Sequence, residues 1–269
     1  MKFISNYNNL KINVDTMDIK NNRIEKRITE GYKLEFETVF NLVFENYKKI
    51  AIYAGLLIFV FTILFFSLAY FSLVAYFGID TLTEVMKPEN LKPENLSKEF
   101  IMIYSGAAIL ITALISPLTA GFMKMAYCAD IDQEFHVSTF FEYYKFSYFI
   151  ELFIATFVIT LFNTGISTTL DTAGLTIVGS LITMIVSFYS LLTIPLIIFG
   201  NLKALDAIKT SIALISKQPL VILSLVAVSM LAAMVGLIAF CIGVLFTIPF
   251  IYSLYYILYK EIIGFEKTE

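Results

Sequence analysis

Six stretches of the chain are long and apolar enough to cross a membrane, which takes about 20 apolar residues for about 30 Å of hydrocarbon. They predict an all-α membrane protein with six transmembrane helices. The six stretches are Ile50–Phe77, Ile101–Met123, Phe146–Phe162, Gly174–Gly200, Leu220–Ile238 and Ile242–Tyr259. They form one membrane domain over residues 34–264, with a polar, flexible tail before it (1–33), a short tail after it (265–269) and an outer loop at 79–99.

The polar segment before each odd-numbered span has apolar residues at helical spacing, which predicts three amphipathic helices lying in the membrane interface. The second of them is expected to begin with a capping box formed by Thr139 and Glu142. The apolar positions are Phe36, Val39, Phe40, Val43, Phe44 and Tyr47 before the first span; Phe140, Phe141 and Tyr144 before the third; and Leu205, Ile208, Ile212 and Ile215, opposite Asp206 and Lys209, before the fifth.

Each even-numbered span carries a proline near its cytoplasmic end, with a hydroxyl residue one or two positions earlier. The pairs are Ser116 with Pro117, Thr193 with Pro195, and Thr247 with Pro249. Proline removes one helical hydrogen bond, and a nearby hydroxyl can satisfy the freed carbonyl.

The pattern predicts a unit of interfacial helix, span and kinked span, repeated three times over about 34–128, 135–203 and 204–262. Three kinks at one depth would surround a common axis that could hold a lipid tail or a small apolar ligand. Side chains could equally fill that space, and proline is common in membrane helices.

Composition and charge agree with a membrane protein and suggest its orientation. Of the 269 residues, 58% are apolar and 15% charged, and the mean hydropathy is +0.80. Of the 19 Lys and Arg residues, only Lys87, Lys92 and Lys98 fall in segments on the side opposite the N-terminus. This asymmetry predicts that both termini are cytoplasmic.

The residue types present argue against several kinds of functional site. A single histidine, His136, is too few for a multi-histidine metal centre, and Cys128 and Cys241 fall on opposite predicted sides of the bilayer. Because no glycine-rich phosphate loop occurs and the net charge is −3, we expect neither a nucleotide cofactor nor nucleic acid. No catalytic, cofactor or metal residues are predicted.

Ionisable residues within the spans would mark transport or proton transfer, and Glu151 is the clearest candidate. We favour an interfacial ion pair of Glu151 with Lys145 or Lys124 over a coupling site. Asp171 is expected in a solvated outer turn at Asn163–Thr172. The acidic residues Asp130, Asp132 and Glu134 are expected on a solvated face, with divalent-cation binding as the alternative.

Small residues on two spans would allow close helix contacts, within the chain or with a second copy of it. They are Ser229, Ala232, Ala233 and Gly236 on the fifth span and Gly106, Ala107, Ala108 and Ala113 on the second. The expected partners are therefore membrane lipids and other membrane proteins or a second copy. The outer loop also repeats a pentapeptide, Lys87–Leu91 and Lys92–Leu96.

Several segments together resemble a known group of proteins. They are Phe36–Tyr47, Pro117–Phe122, Ala204–Ser211 and Gly243–Pro249 with Tyr255 and Tyr256. Over about Leu34–Gly264 the chain resembles six-span bacterial inner-membrane proteins of largely unknown function, including the membrane domain fused to some glycerophosphodiester phosphodiesterases. The resemblance implies the bacterial inner membrane, but it supplies no catalytic residues, and without a hydrolase domain in these residues we expect no diesterase activity.

The sequence therefore favours a non-enzymatic membrane component, a scaffold or accessory subunit with a lipid or small apolar ligand between the kinked helices. The alternative is a transporter or permease for an uncharged or lipid-like substrate. The sparse charge within the spans argues against ion coupling, whereas the three prolines and their hydroxyl neighbours are what a transporter would need. A lipid-directed enzyme comes third.

Overall fold

The protein is a multi-pass bundle of helices. A computed structural model describes residues 19–90, 97–238 and 242–265, and these contain helices and turns but no strand. Five helices are long and apolar enough to cross a membrane, or six if one sharply bent pair counts as a single span. The predicted all-α class is confirmed.

The helices follow the chain in the order of their labels. They are α1 (residues 19–30), α2 (Phe36–Phe77), α3 (Ile79–Val85), α4 (Lys98–Asp130), α5 (Val137–Phe140), a 3₁₀ turn (Glu142–Tyr144), α6 (Phe146–Thr172), α7 (Thr176–Tyr189), α8 (Thr193–Ile198), α9 (Ala204–Ile215), α10 (Pro219–Ile238) and α11 (Ile242–Ile262).

The first predicted interfacial segment is not a separate helix. It continues into the first span as α2, whose 42 residues extend about 63 Å at 1.5 Å per residue. No glycine or proline occurs between Phe36 and Ala54 to interrupt it. Its buried stripe recurs at steps of three and four, at Val39, Val43, Asn46, Ile50 and Ala54.

The second predicted segment begins earlier than expected, and its predicted capping box is wrong. Thr139 lies at the third position of α5, where its hydroxyl accepts a long 3.5 Å hydrogen bond from the His136 N–H. Glu142 instead opens the 3₁₀ turn. The N-cap is therefore His136, about one turn before the predicted cap at Thr139. The backbone of His136 is extended, as is typical of the residue before the first turn of a helix.

Both predicted outer loops contain more helix than expected. Residues 163–172 belong to α6, and the Thr169 hydroxyl there donates to the Gly165 carbonyl of its own helix at 2.7 Å. Asp171 is therefore in the last turn of α6, and the reversal occurs at Gly174, whose φ of +74° suits glycine. In the 79–99 segment α3 forms, and Ser97 caps α4 by accepting from the Phe100 N–H.

The described part of the predicted polar tail is folded onto the bundle. Helix α1 buries Ile24, and the Tyr32 hydroxyl donates to the Leu214 carbonyl at 2.7 Å. Burial raises the pKa of Tyr32, so this phenol stays protonated and remains a donor at neutral pH. The Leu34 N–H donates to the side-chain oxygen of Gln218. These contacts join the N-terminal segment to the turn between α9 and α10. Residues 1–18 lie outside the described part.

Helix α11 lies centrally and packs on α2, α4, α8 and α10. A Cβ added to Gly55 would lie 2.5 Å from a ring carbon of Phe246, and one added to Gly236 would lie 2.5 Å from the Thr247 hydroxyl oxygen. The small residue Gly236 therefore serves a contact within the chain. At Gly106 a Cβ would meet open space, so a contact with another chain stays a prediction there.

Candidate functional site

The fourth span is broken between α7 and α8, and a serine from another helix closes the break. Ser211 on α9 donates to the Tyr189 carbonyl at 2.7 Å and accepts from the Leu192 N–H at 3.1 Å. Its side chain is completely buried. Because one hydroxyl satisfies both a carbonyl and an N–H that the break would leave unpaired, the interruption is stable within an apolar surrounding.

Helix α9 runs back beside α8 towards this break. At its start, the Glu151 carboxylate on α6 accepts from the Ala204 N–H at 2.7 Å, which satisfies one of the unpaired donors at a helix N-terminus. Seven residues later, Ser211 reaches the break. After a turn, α10 leaves at 101° to α9. Helix α10 has 20 residues and a length of about 30 Å, and it forms with α9 the bent pair that would count as the sixth span.

An apolar groove of about 350 Å³ lies beside the break. We call it the α6–α7–α9 groove. Its walls are Val158, Ile159 and Phe162 from α6, Ile185, Val186 and Tyr189 from α7 with the following Ser190, and Ile208 and Ile212 from α9. The Ser190 hydroxyl donates to the Val186 carbonyl at 2.8 Å, so this polar group at the edge already has a partner.

A second, more open cleft of about 610 Å³ adjoins the groove and shares Phe162 with it. It continues along α6 towards the α6–α7 turn, over a wall that is apolar except for Thr169. The Thr169 hydroxyl is bonded to the Gly165 carbonyl of its own helix. The two clefts meet at Phe162, and both lie along the α6–α7 hairpin.

The three predicted proline positions are not equivalent. Ser116 donates to the Ala113 carbonyl at 2.7 Å, which is the carbonyl that Pro117 leaves free. Thr247 donates instead to the Val244 carbonyl, one residue before the carbonyl that Pro249 frees.

The buried Thr193 hydroxyl has no hydrogen-bond partner among the described residues. Of the three spans that carry these prolines, only the fourth is interrupted, at residues 190–192 just before the helix that contains Pro195. Pro117, Pro195 and Pro249 are all buried, but none lines either cleft. A ligand site around the three prolines therefore stays a prediction.

In the structure, the three residues of the predicted ion pair, Glu151, Lys145 and Lys124, each have a different partner. Glu151 caps α9, Lys145 pairs with Glu142 at 3.7 Å, and the Lys124 ammonium lies 4.5 Å from the centre of the Tyr127 ring. Cation–π contact provides Lys124 with a partner without a carboxylate. Sequence reasoning placed Glu151 at the edge of the span but missed a backbone partner 53 positions away.

A polar network joins α2, α4 and α11. The buried Asn46 amide donates to the Ala126 carbonyl and accepts from the Ser253 hydroxyl, both at 2.8 Å. Further along α4, the Asp130 carboxylate accepts from the Tyr256 hydroxyl and the Lys260 ammonium, both at 2.7 Å.

Asp130 is therefore not on the predicted solvated face, whereas Asp132 is exposed and pairs with Lys49. Among the described residues, no group of three or more His, Cys, Asp or Glu could hold a metal ion.

The sequence holds a signal for Ser211 and Asn46 in the spacing of their apolar neighbours. Each is the polar member of an otherwise apolar buried stripe at helical spacing. On α9 the stripe is Ala204, Ala207, Ser211, Leu214 and Ile215, and on α2 Asn46 lies between Val43 and Ile50. A polar side chain on a buried face must find a partner, which makes both positions candidates for contacts between helices.

No family model matches the chain, and no curated protein and no solved structure matches it. The resemblance to the membrane domain fused to some glycerophosphodiester phosphodiesterases thus stays a prediction, as do the cytoplasmic termini and the bacterial inner membrane.

Proposed function

We propose that the protein is a non-enzymatic membrane component, a scaffold or accessory subunit that holds the acyl chain of a membrane lipid in the α6–α7–α9 groove. The observation that carries the proposal is the groove itself, which has aliphatic and aromatic walls on three helices. Such walls suit an apolar ligand, because they can pack closely against a lipid tail and present no polar group that would need a hydrogen-bond partner.

The dimensions of the surface fit one acyl chain. From Val158 to Leu170 along α6 the two clefts extend over 12 residue steps, about 18 Å at 1.5 Å per residue. One leaflet contributes about half of the 30 Å hydrocarbon layer, or about 15 Å. A lipid tail could therefore lie along the α6–α7 hairpin over most of its length.

The polar groups at the groove favour binding over catalysis. The hydroxyls of Ser190 and Ser211 both donate to backbone carbonyls, so neither is presented to a substrate as a nucleophile with an adjacent base. The Glu151 carboxylate is engaged by the Ala204 N–H.

A transporter is the second candidate, and the broken fourth span is the observation that favours it. Discontinuous membrane helices often expose backbone groups to a substrate or coupling ion. Here Ser211 already satisfies the Tyr189 carbonyl and the Leu192 N–H. We therefore rank transport below lipid binding.

Replacing Ile185 with Trp is expected to displace the lipid, because Ile185 lines the groove and is half exposed. Native mass spectrometry of the protein extracted in mild detergent should show about one lipid fewer per chain than in the wild type. The matched control is Ile177→Trp on the same helix, at a strongly exposed position outside both clefts. Equal lipid counts in the wild type and Ile185→Trp would contradict the proposal.

A further inference from the structure

A lysine lies at the edge of the α6–α7–α9 groove. On α9, Ile208 and Ile212 line the groove, while Ala204, Ala207 and Ser211 face the core. At 100° per residue, Lys209 lies about 60° around the helix from Ile212, on the side away from the core. Around the circumference of α9, the side that faces the core is therefore followed by the side that lines the groove and then by Lys209.

The Lys209 ammonium is available to a ligand. Its side chain is exposed, and it makes no ion pair within the described ranges 19–90, 97–238 and 242–265. The segment 203–217 contains three exposed lysines, Lys203, Lys209 and Lys217, but only one acidic residue, Asp206. The segment that carries the α9 wall of the groove is thus positive on balance.

We propose that the lipid held in the groove is a phospholipid with an anionic headgroup, whose phosphate pairs with Lys209 while an acyl chain lies between α6 and α7. This inference rests on the proposed function. An ammonium beside an apolar groove matches the two ends of such a lipid, since lysine extends its apolar stem along hydrocarbon and keeps its charge at the headgroup level.

Membrane phospholipid fits better than a soluble anion, because Lys209 alone offers a soluble phosphate one flexible point charge. Strong phosphate sites in proteins combine several fixed donors. In the groove, packing of the acyl chain against the apolar walls holds the lipid, and the Lys209 charge discriminates between headgroups.

The test measures which lipid stays bound. The protein is reconstituted with equal amounts of phosphatidylglycerol and phosphatidylcholine, extracted in mild detergent and examined by native mass spectrometry. The wild type should retain phosphatidylglycerol preferentially. Lys209→Ala should lower the ratio of retained phosphatidylglycerol to phosphatidylcholine about fivefold, as expected for one lysine near an anionic surface. Lys209→Arg should keep the preference, and Lys209→Glu should reverse it.

Lys26→Ala is the matched control, because it removes the same charge from an exposed position on α1 that has its own partner, Glu30. An unchanged ratio in Lys209→Ala, or an equal fall in Lys26→Ala, would overturn the inference.

The Ile185→Trp variant separates the two proposals. Loss of both lipids from Ile185→Trp, with an unchanged lipid ratio in Lys209→Ala, would overturn only the headgroup preference. Full retention of lipid by Ile185→Trp would overturn the proposed function and this inference with it.

Discussion

Replacing Ser211 with Ala is expected to lower the free energy of unfolding by about 3 kcal/mol, because two buried backbone groups lose their partner and each costs about 1–3 kcal/mol when unsatisfied. The groups are the Tyr189 carbonyl and the Leu192 N–H, on either side of the break in the fourth span. Reversible unfolding in mixed micelles would measure the loss. Hydrogen exchange at the Leu192 amide should accelerate in parallel.

The matched control is Ser216→Ala at the end of the same helix. Ser216 is exposed, and its hydroxyl donates only to the Ile212 carbonyl of its own helix. We expect its unfolding free energy to remain within about 0.5 kcal/mol of the wild type. Similar losses in the two variants would show that Ser211 does not hold the break together.

Replacing Asp130 with Ala is expected to cost about 2–3 kcal/mol of unfolding free energy, whereas Asp132→Ala should cost less than about 1 kcal/mol. Both carboxylates lie 2.7 Å from a lysine ammonium, but Asp130 and Lys260 are 22% and 32% exposed, while Asp132 is 83% exposed. Removing Asp130 leaves the Lys260 charge and the Tyr256 hydroxyl unpaired in a partly buried position. Removing Asp132 leaves the Lys49 ammonium half exposed and still bonded to the Ala129 carbonyl at 2.9 Å.

The same unfolding measurement on the two variants provides the comparison, since they differ by two positions and remove the same charge. Asp130→Asn should be intermediate, because its amide oxygen can still accept from Tyr256. Equal effects of Asp130→Ala and Asp132→Ala would mean that the link between α4 and α11 contributes nothing beyond a surface ion pair.

The sequence predicts those features of the fold that depend on residues close together in the chain. Long apolar stretches identify the spans, and the buried stripe of α2 follows from residues spaced three and four apart. The Ser116 hydrogen bond was also predictable, because the donor and the carbonyl freed by Pro117 lie within one turn. At Thr193 and Thr247 the same pattern gives different contacts, since rotamers and neighbouring helices decide between acceptors.

What the sequence could not predict depends on contacts between distant positions. The carboxylate of Glu151 was assigned to a nearby lysine, but the chain returns at Ala204 with an unpaired N–H that competes successfully. Asp130 was placed on a solvated face because the approach of α11, 130 residues later, leaves no local trace. The groove likewise requires α6, α7 and α9 together.

The most direct test of lipid binding in the groove is photocrosslinking with a phospholipid that carries a diazirine in the middle of its acyl chain, followed by mapping of the modified residues. We predict that modification concentrates on the groove-lining stretches of α6, α7 and α9, at Val158–Phe162, Ile185–Ser190 and Ile208–Ile212. Modification spread evenly over exposed apolar residues elsewhere, such as Phe66 and Phe71 on α2 and Met230 on α10, would contradict the account.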